Sequence, residues 1–186
     1  MKDLLICLDP GHGGPDPGAV VEDAREAVIN LHVALQLQSL LKQAGARVLM
    51  TRTTHEEGPI LSARAELANA AGCDAFISIH CNAFTEHSAH GFEVFCHPTK
   101  DHNLASEIAL AKEKAFPDRR FRRGEVYPAK KANYAVLRLT QMPSALAELG
   151  FLSNPAGRAW LSDIRNQLRC AHAIRDGIRH WSLMRA

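Results

Sequence analysis

The chain lacks the marks of a disulfide scaffold. Its five cysteines, Cys7, Cys73, Cys81, Cys96 and Cys170, are odd in number, form no CxxC pair and sit mostly in apolar runs. Such cysteines read as buried free thiols rather than staples. A leader and a membrane span are missing too. Met1-Lys2-Asp3 runs straight into the short apolar stretch Leu4 to Leu8, far too short for a signal h-region or a bilayer crossing. The expectation is a protein made in the cytoplasm without a signal peptide and without stable membrane insertion. Internal repeats, low-complexity tracts and linkers are absent, so the 186 residues read as one domain with a single core. Charge of one sign is scarce as well. A net charge of +2 does not by itself argue for nucleic acid. With 46% hydrophobic and 23% charged residues, the composition is that of an ordinary globular protein.

What is present alternates. Strands are expected at Leu4–Leu8, Arg47–Met50, Ala75–His80, Phe92–Cys96, Tyr134–Leu139 and Ser144–Leu149. Helices are expected at Asp23–Ala44, Leu61–Ala71, Leu104–Lys114 and Asp163–Trp181. Val28, Leu31, Leu35 and Leu41 lie near helical spacing in the first helix, and Gly45 and Gly72 stop the first two. Strands alternating with helices predict an α/β fold built round a mainly parallel sheet. The stretch 116–132, FPDRRFRRGEVYPAKKA, is the least regular. It reads as a solvated charged loop, or as a groove wall for an anionic polymer with Phe121 and Tyr127 as stacking surfaces. Its Arg119, Arg120, Arg122, Arg123, Lys130 and Lys131 are diluted by Asp118 and Glu125, which weakens a nucleic-acid reading.

Several polar residues stand where apolar ones are expected. In open α/β sheets, sites form beyond the carboxyl ends of the strands. His12 lies just past the first strand in DPGHGGPDPG, a tight Gly/Pro loop. A phosphate cradle is the competing reading of that loop. However, GxGxxG and Walker patterns are absent, and a second turn with Asp16 follows rather than a helix. His80 closes a strand in which Ser78, His80 and Asn82 share one face, and Ile77, Ile79 and Cys81 the other. Cys81 therefore points away from His80. Glu148 sits among Ala145, Leu146, Ala147 and Leu149, where lost solvation raises a carboxyl pKa. It is either salt-bridged, to Arg138 or Arg52, or an acid/base group. Glu22, Asp23 and Glu26 all crowd the start of the first helix, and spacing does not separate them. Two imidazoles and a carboxylate suit a catalytic zinc ion with an open position. A further carboxylate suits the proton transfers of hydrolysis.

These motifs, taken together and in order, resemble the zinc-dependent N-acetylmuramoyl-L-alanine amidases, bacterial cell-wall hydrolases and phage lysins. The resemblance rests on DPGHGG with His12, the helix-opening Glu26, VLMTR at Val48–Arg52, Arg64 with Ala68-Asn69, SIHCNA with His80, GFEVF from Gly91, YAVLR from Tyr134 and PSALAELGFLSN with Glu148. It implies one zinc ion held by His12, Glu26 and His80, with Glu148 as the catalytic carboxylate, on a twisted, mainly parallel sheet flanked by helices on both faces. It selects Glu26, although Ala27 stands where the family usually has Lys. The segment His97–Asn133 has little room for the inhibitory helix of the family's regulated members. An open, constitutively active, monomeric enzyme is therefore expected, acting on peptidoglycan in the periplasm or cell wall after release. With neither wall-binding module nor leader in sight, it resembles an endolysin. Other readings are a zinc peptidase on stem peptides, an inactive wall-binding protein and an intracellular recycling amidase. Partners orienting His12 and His80 are expected, with Ser78 or Asn82 as candidates.

Overall fold

The first apolar run, Leu-Ile-Cys-Leu, becomes a strand buried on both faces. That is the sequence pattern of a central parallel strand. The computed structural model describes residues 1–119 and 128–185. β1 (Leu5–Pro10) leads through the Gly/Pro loop to a two-residue hairpin, β2 (Val20–Val21) and β3 (Ala24–Arg25), and then α1 (Glu26–Gln43). There follow β4 (Arg47–Met50), α2 (Leu61–Ala70), β5 (Ala75–Asn82), β6 (Glu93–Cys96), α3 (Asn103–Ala115), a 3₁₀ turn at Pro117–Arg119, β7 (Lys130–Lys131), α4 (Ala135–Leu139), β8 (Ser144–Phe151), α5 (Pro155–Ser162) and α6 (Ile164–Leu183).

One six-stranded sheet runs in the order β4-β1-β5-β8-β6-β7. Its pairs are parallel except β6 with β8. Alternation along the strands divides the core. Ile6, Leu8, Ile77, Ile79, Ala145 and Ala147 join the larger cluster, to which α1, α3 and α6 contribute. Cys7, Phe76 and Leu146 join the smaller one, with Ala68 of α2 and Val136 and Leu137 of α4. The helices therefore cover both faces, as expected. Cys81 belongs to the larger cluster, away from the face of His80. All five cysteines are free and buried.

Three expectations need correction. Tyr134–Leu139 is not a strand. Ala135–Leu139 forms a short helix, because Val136 and Leu137 bury side by side against α2 and the sheet. An apolar run this short does not distinguish the two by periodicity. The first helix starts at Glu26, not Asp23, because Glu22 at φ +53° turns the small hairpin. The helix Pro155–Ser162 was missed, although Asn154 caps it, accepting from the Gly157 N–H at 2.8 Å, with proline in its first turn. Of the basic stretch, Arg120, Phe121, Arg122, Arg123, Glu125 and Tyr127 lie outside the described residues.

Candidate active site

The strand ends and α1 bring three of the expected residues together. His12 follows β1, Glu26 opens α1 and His80 lies near the end of β5. Their ligand atoms all fall within 4.8 Å of one another. Glu26 Oε1 stands 3.2 Å from His12 Nε2 and 2.9 Å from His80 Nδ1. The imidazole rings meet edge to face at 5.0 Å. Tetrahedral ligands about 2.05 Å from a zinc ion lie about 3.3 Å apart, so these spacings fit the group. The site separates the three crowded acids. Glu22 and Asp23 are exposed in the turn, while Glu26 is 5% exposed and aimed inward.

The surroundings fix each member. Glu26 Oε1 also accepts from the Cys81 N–H at 3.1 Å, and Oε2 accepts from the Ala19 N–H at 2.9 Å. Burial alone would raise its pKa, but the hydrogen bonds from His12 and His80 outweigh burial and hold it well below the usual carboxylate range. His12 is raised to about 9, first by its hydrogen bond to Glu26 and then by Asp16, against an opposing effect of burial. Gly11 and Gly18 are obligatory here. A Cβ on Gly11 would lie 2.1 Å from His80 Cε1, and one on Gly18 2.6 Å from Glu26 Oε2.

Glu148 completes the site through strand register. It pairs with His80 across β5–β8 and with Glu93 across β8–β6, which places the three side by side. The salt bridge considered for Glu148 does not form. Arg52 is spent on the carbonyls of Pro10, Gly11, Ala27 and Thr54, and Arg138 bonds Asn133. Glu148 Oε2 is buried and finds no hydrogen-bond partner among the described residues. Burial, helped by the charges of Glu26 and Glu93, pushes its pKa up to about 7, while His80 and Lys112 pull the other way. His12, His80 and Glu148 line a cleft of about 540 Å³, with Ile60, Leu61 and Tyr134 on its walls.

Sequence reasoning quoted Asp9 and Arg64 only as parts of motifs, and Arg52 only as a motif residue and a possible partner of Glu148. In the structure, Arg64 Nη1 pairs with Asp9 Oδ1 at 2.8 Å and also donates to the Pro10 carbonyl, while Nη2 donates to the His12 carbonyl. Asp9 further accepts from Thr51 and Ser78. For Asp9, a charged residue closing an otherwise apolar strand was the available signal. The candidates for orienting the imidazoles are also corrected. Ser78 serves Asp9, and Asn82 donates to Glu93 Oε2 at 3.0 Å. The residue that meets the outer nitrogen of His12 is Asp16.

Residues 6–180 match the family described as N-acetylmuramoyl-L-alanine amidase. A probable cell wall amidase of Staphylococcus epidermidis, LytH, is 36% identical over 97% of the chain. The chain spans 59% of the length of that relative. Among solved structures, the catalytic domain of CwlV, an N-acetylmuramoyl-L-alanine amidase from Bacillus (Paenibacillus) polymyxa, superposes with a TM-score of 0.88 at 31% identity, covering 98% of both chains. An N-acetylmuramoyl-L-alanine amidase from Clostridium difficile 630 gives 0.90 at 28% identity, covering 100% of both. Matched along nearly its whole length by sequence and by fold, the chain belongs to the N-acetylmuramoyl-L-alanine amidase family.

Proposed function

We propose that this chain hydrolyses the amide between the lactyl group of N-acetylmuramic acid and the L-alanine of the stem peptide in peptidoglycan. Zinc would be held by His12, Glu26 and His80, and Glu148 would act as acid and base. The observation that carries the reading is the Glu148 carboxyl, whose buried Oε2 has no hydrogen-bond partner among the described residues, beside a His–Glu–His cluster in a cleft open to substrate. When bound, zinc polarises the scissile carbonyl and acidifies water. Glu148, with a pKa near neutrality, takes one proton from the attacking water. The hydroxide adds to the lactyl carbonyl carbon. Glu148 returns its proton to the alanine nitrogen as the C–N bond breaks. One water is consumed, leaving a glycan carboxylate and a free stem peptide. The side chains of His12 and His80 keep 26% and 20% of their exposure, which supports direct access from the cleft.

Action as an endolysin-like, constitutively open monomer on wall peptidoglycan belongs to the same proposal. No helix among the described residues is long and apolar enough to cross a membrane. The test is digestion of purified sacculi, with and without a chelator, followed by mass analysis. Chelator-sensitive release of intact stem peptides beginning with L-alanine is expected. Shorter peptides would point to a zinc peptidase. Cleavage confined to soluble muropeptides would keep the chemistry and discard the lytic role.

A further inference from the structure

We infer that Asp16 is a positioning residue for the metal centre, setting the ring orientation and the proton placement of His12. The inference rests on the proposed role of His12 as a ligand. Asp16 Oδ2 lies 2.7 Å from His12 Nδ1, on the side of the ring opposite the Nε2 that faces Glu26. A carboxylate has no proton to give, so it accepts from Nδ1–H. The lone pair of a neutral His12 is then on Nε2, the atom turned into the cluster.

Asp16 is itself held in place, although its side chain is 63% exposed. Its Oδ1 accepts from the Gly18 N–H at 2.9 Å. Its backbone bridges Gly13 in both directions, at 2.8 Å and 3.1 Å. The turn between His12 and Asp16 is therefore closed by main-chain bonds that need no side chain. His12 takes φ +60°, a conformation uncommon outside glycine. Its carbonyl is pinned by Arg64. Arg64 fixes the backbone of His12, and Asp16 fixes its ring. Carboxylates placed in this way raise the basicity of a ligating imidazole, and their loss typically weakens metal binding by about 10–100-fold.

The two oxygens of Asp16 lead to an uncommon expectation for its isostere. Asparagine has a single oxygen, and the Gly18 N–H claims it. The amide nitrogen then faces Nδ1 and donates to it, driving the imidazole proton onto Nε2. Asp16→Asn should bind zinc no better than Asp16→Ala. A residue that mattered only for packing would be rescued by Asn.

The experiment is chelator competition for zinc on the intact chain, comparing the native protein with Asp16→Ala, Asp16→Asn and Pro15→Ala. Pro15→Ala perturbs the same turn without touching the carboxylate. The native chain is expected to bind one zinc ion. Both Asp16 variants should bind it about 10–100-fold more weakly, and Pro15→Ala within about twofold. Thermal melts of the zinc-free proteins should show all four folded. At saturating cobalt(II), the visible ligand-field bands of the Asp16 variants should be displaced from the native spectrum. Native-like zinc affinity in both Asp16 variants overturns the inference while leaving the zinc site standing. Native-like affinity in Asp16→Asn alone overturns the proton-placement argument. Equal weakening by Pro15→Ala assigns the effect to the turn and overturns it as well. A native chain that binds no zinc overturns the underlying reading and this inference with it.

Discussion

Glu148 is an ionisable side chain whose Oε2 is buried without a partner among the described residues, directly beside a cluster containing another carboxylate. Such a group costs stability, and acid/base work is the use that its surroundings permit. Its pKa of about 7 against an ordinary 4.5 fixes the sign of its pH dependence. Below about pH 4.5 the carboxyl is protonated in folded and unfolded chains alike, and stability is unaffected. From there to about pH 7 only the unfolded chain loses its proton, so stability falls as pH rises. Above pH 7 the full penalty applies. A shift of this size corresponds to roughly 3–4 kcal/mol at about 1.4 per unit, discounted to about 2 kcal/mol because the residue opens on the cleft. Glu148→Gln in the metal-free protein should therefore be more stable than the native chain by about 2 kcal/mol at pH 8, with no gain at pH 4. With zinc bound, the same variant should lose turnover by roughly 10²-fold or more while keeping its metal. Urea melts at the two pH values, with zinc content and turnover on the same preparations, check both halves. Full activity would end the role assigned to Glu148.

At the scale of elements, α2 acts through one residue. Arg64, 4% exposed, joins the helix to the β1 end and the loop that carries His12. Removing it leaves the Asp9 carboxylate buried, and the carbonyls of Pro59 and His12 without this donor. Arg64→Ala should cost about 3 kcal/mol or more. Arg64→Lys should restore only part, since an ammonium replaces the charge but not the planar fork. The urea midpoint reads this, with the slope unchanged if the folded state stays compact. A loss under about 1 kcal/mol would show that the Thr51 and Ser78 hydroxyls suffice for Asp9. The elements also show what was legible in the sequence. β1, β5 and β8 were readable because strands buried on both faces appear as continuous apolar runs, and the half-buried edge strand β4 as the short apolar run Val48–Met50. The run YAVLRL was not, because burial of adjacent Val136 and Leu137 against α2 is a tertiary fact. His12, His80 and Glu148 stood out as polar interruptions of apolar strands. Glu26 did not, because the hairpin that sets Glu22 and Asp23 aside spans only Val20 to Arg25 and leaves no periodic trace. Asp16 escaped notice because its role depends on which ring nitrogen it meets.

At the scale of the whole molecule, the cluster lies at the carboxyl ends of the central strands β1 and β5, where α1 begins. α1, packed on the larger core, supplies Glu26. The braced loop after β1 supplies His12. The acids Asp16, Glu26, Glu93 and Glu148 converge there. The ion pair of Glu93 with Lys130 and a protonated His12 offset part of that charge when metal is absent. Zinc would take over the role of that proton, and the exchange has a defined pH dependence. In the metal-free chain the pKa of His12 is raised from 6.5 to about 9, so its stabilising contribution is complete below pH 6.5 and is lost as pH rises through 9. Zinc requires neutral imidazoles, so its binding strengthens over the same range as protons cease to compete. The metal-free form loses the proton's contribution as pH rises, and by linkage the stabilisation that zinc adds relative to it grows by the same amount. The gap in melting temperature between zinc-loaded and chelated protein should therefore widen steadily from pH 6 to pH 9. Effects of pH shared by the two forms cancel in that difference, which makes calorimetry of matched samples at pH 6, 7.5 and 9 decisive. A gap that stays constant or narrows would mean that protons and metal do not compete for His12, and would remove it from the ligand set.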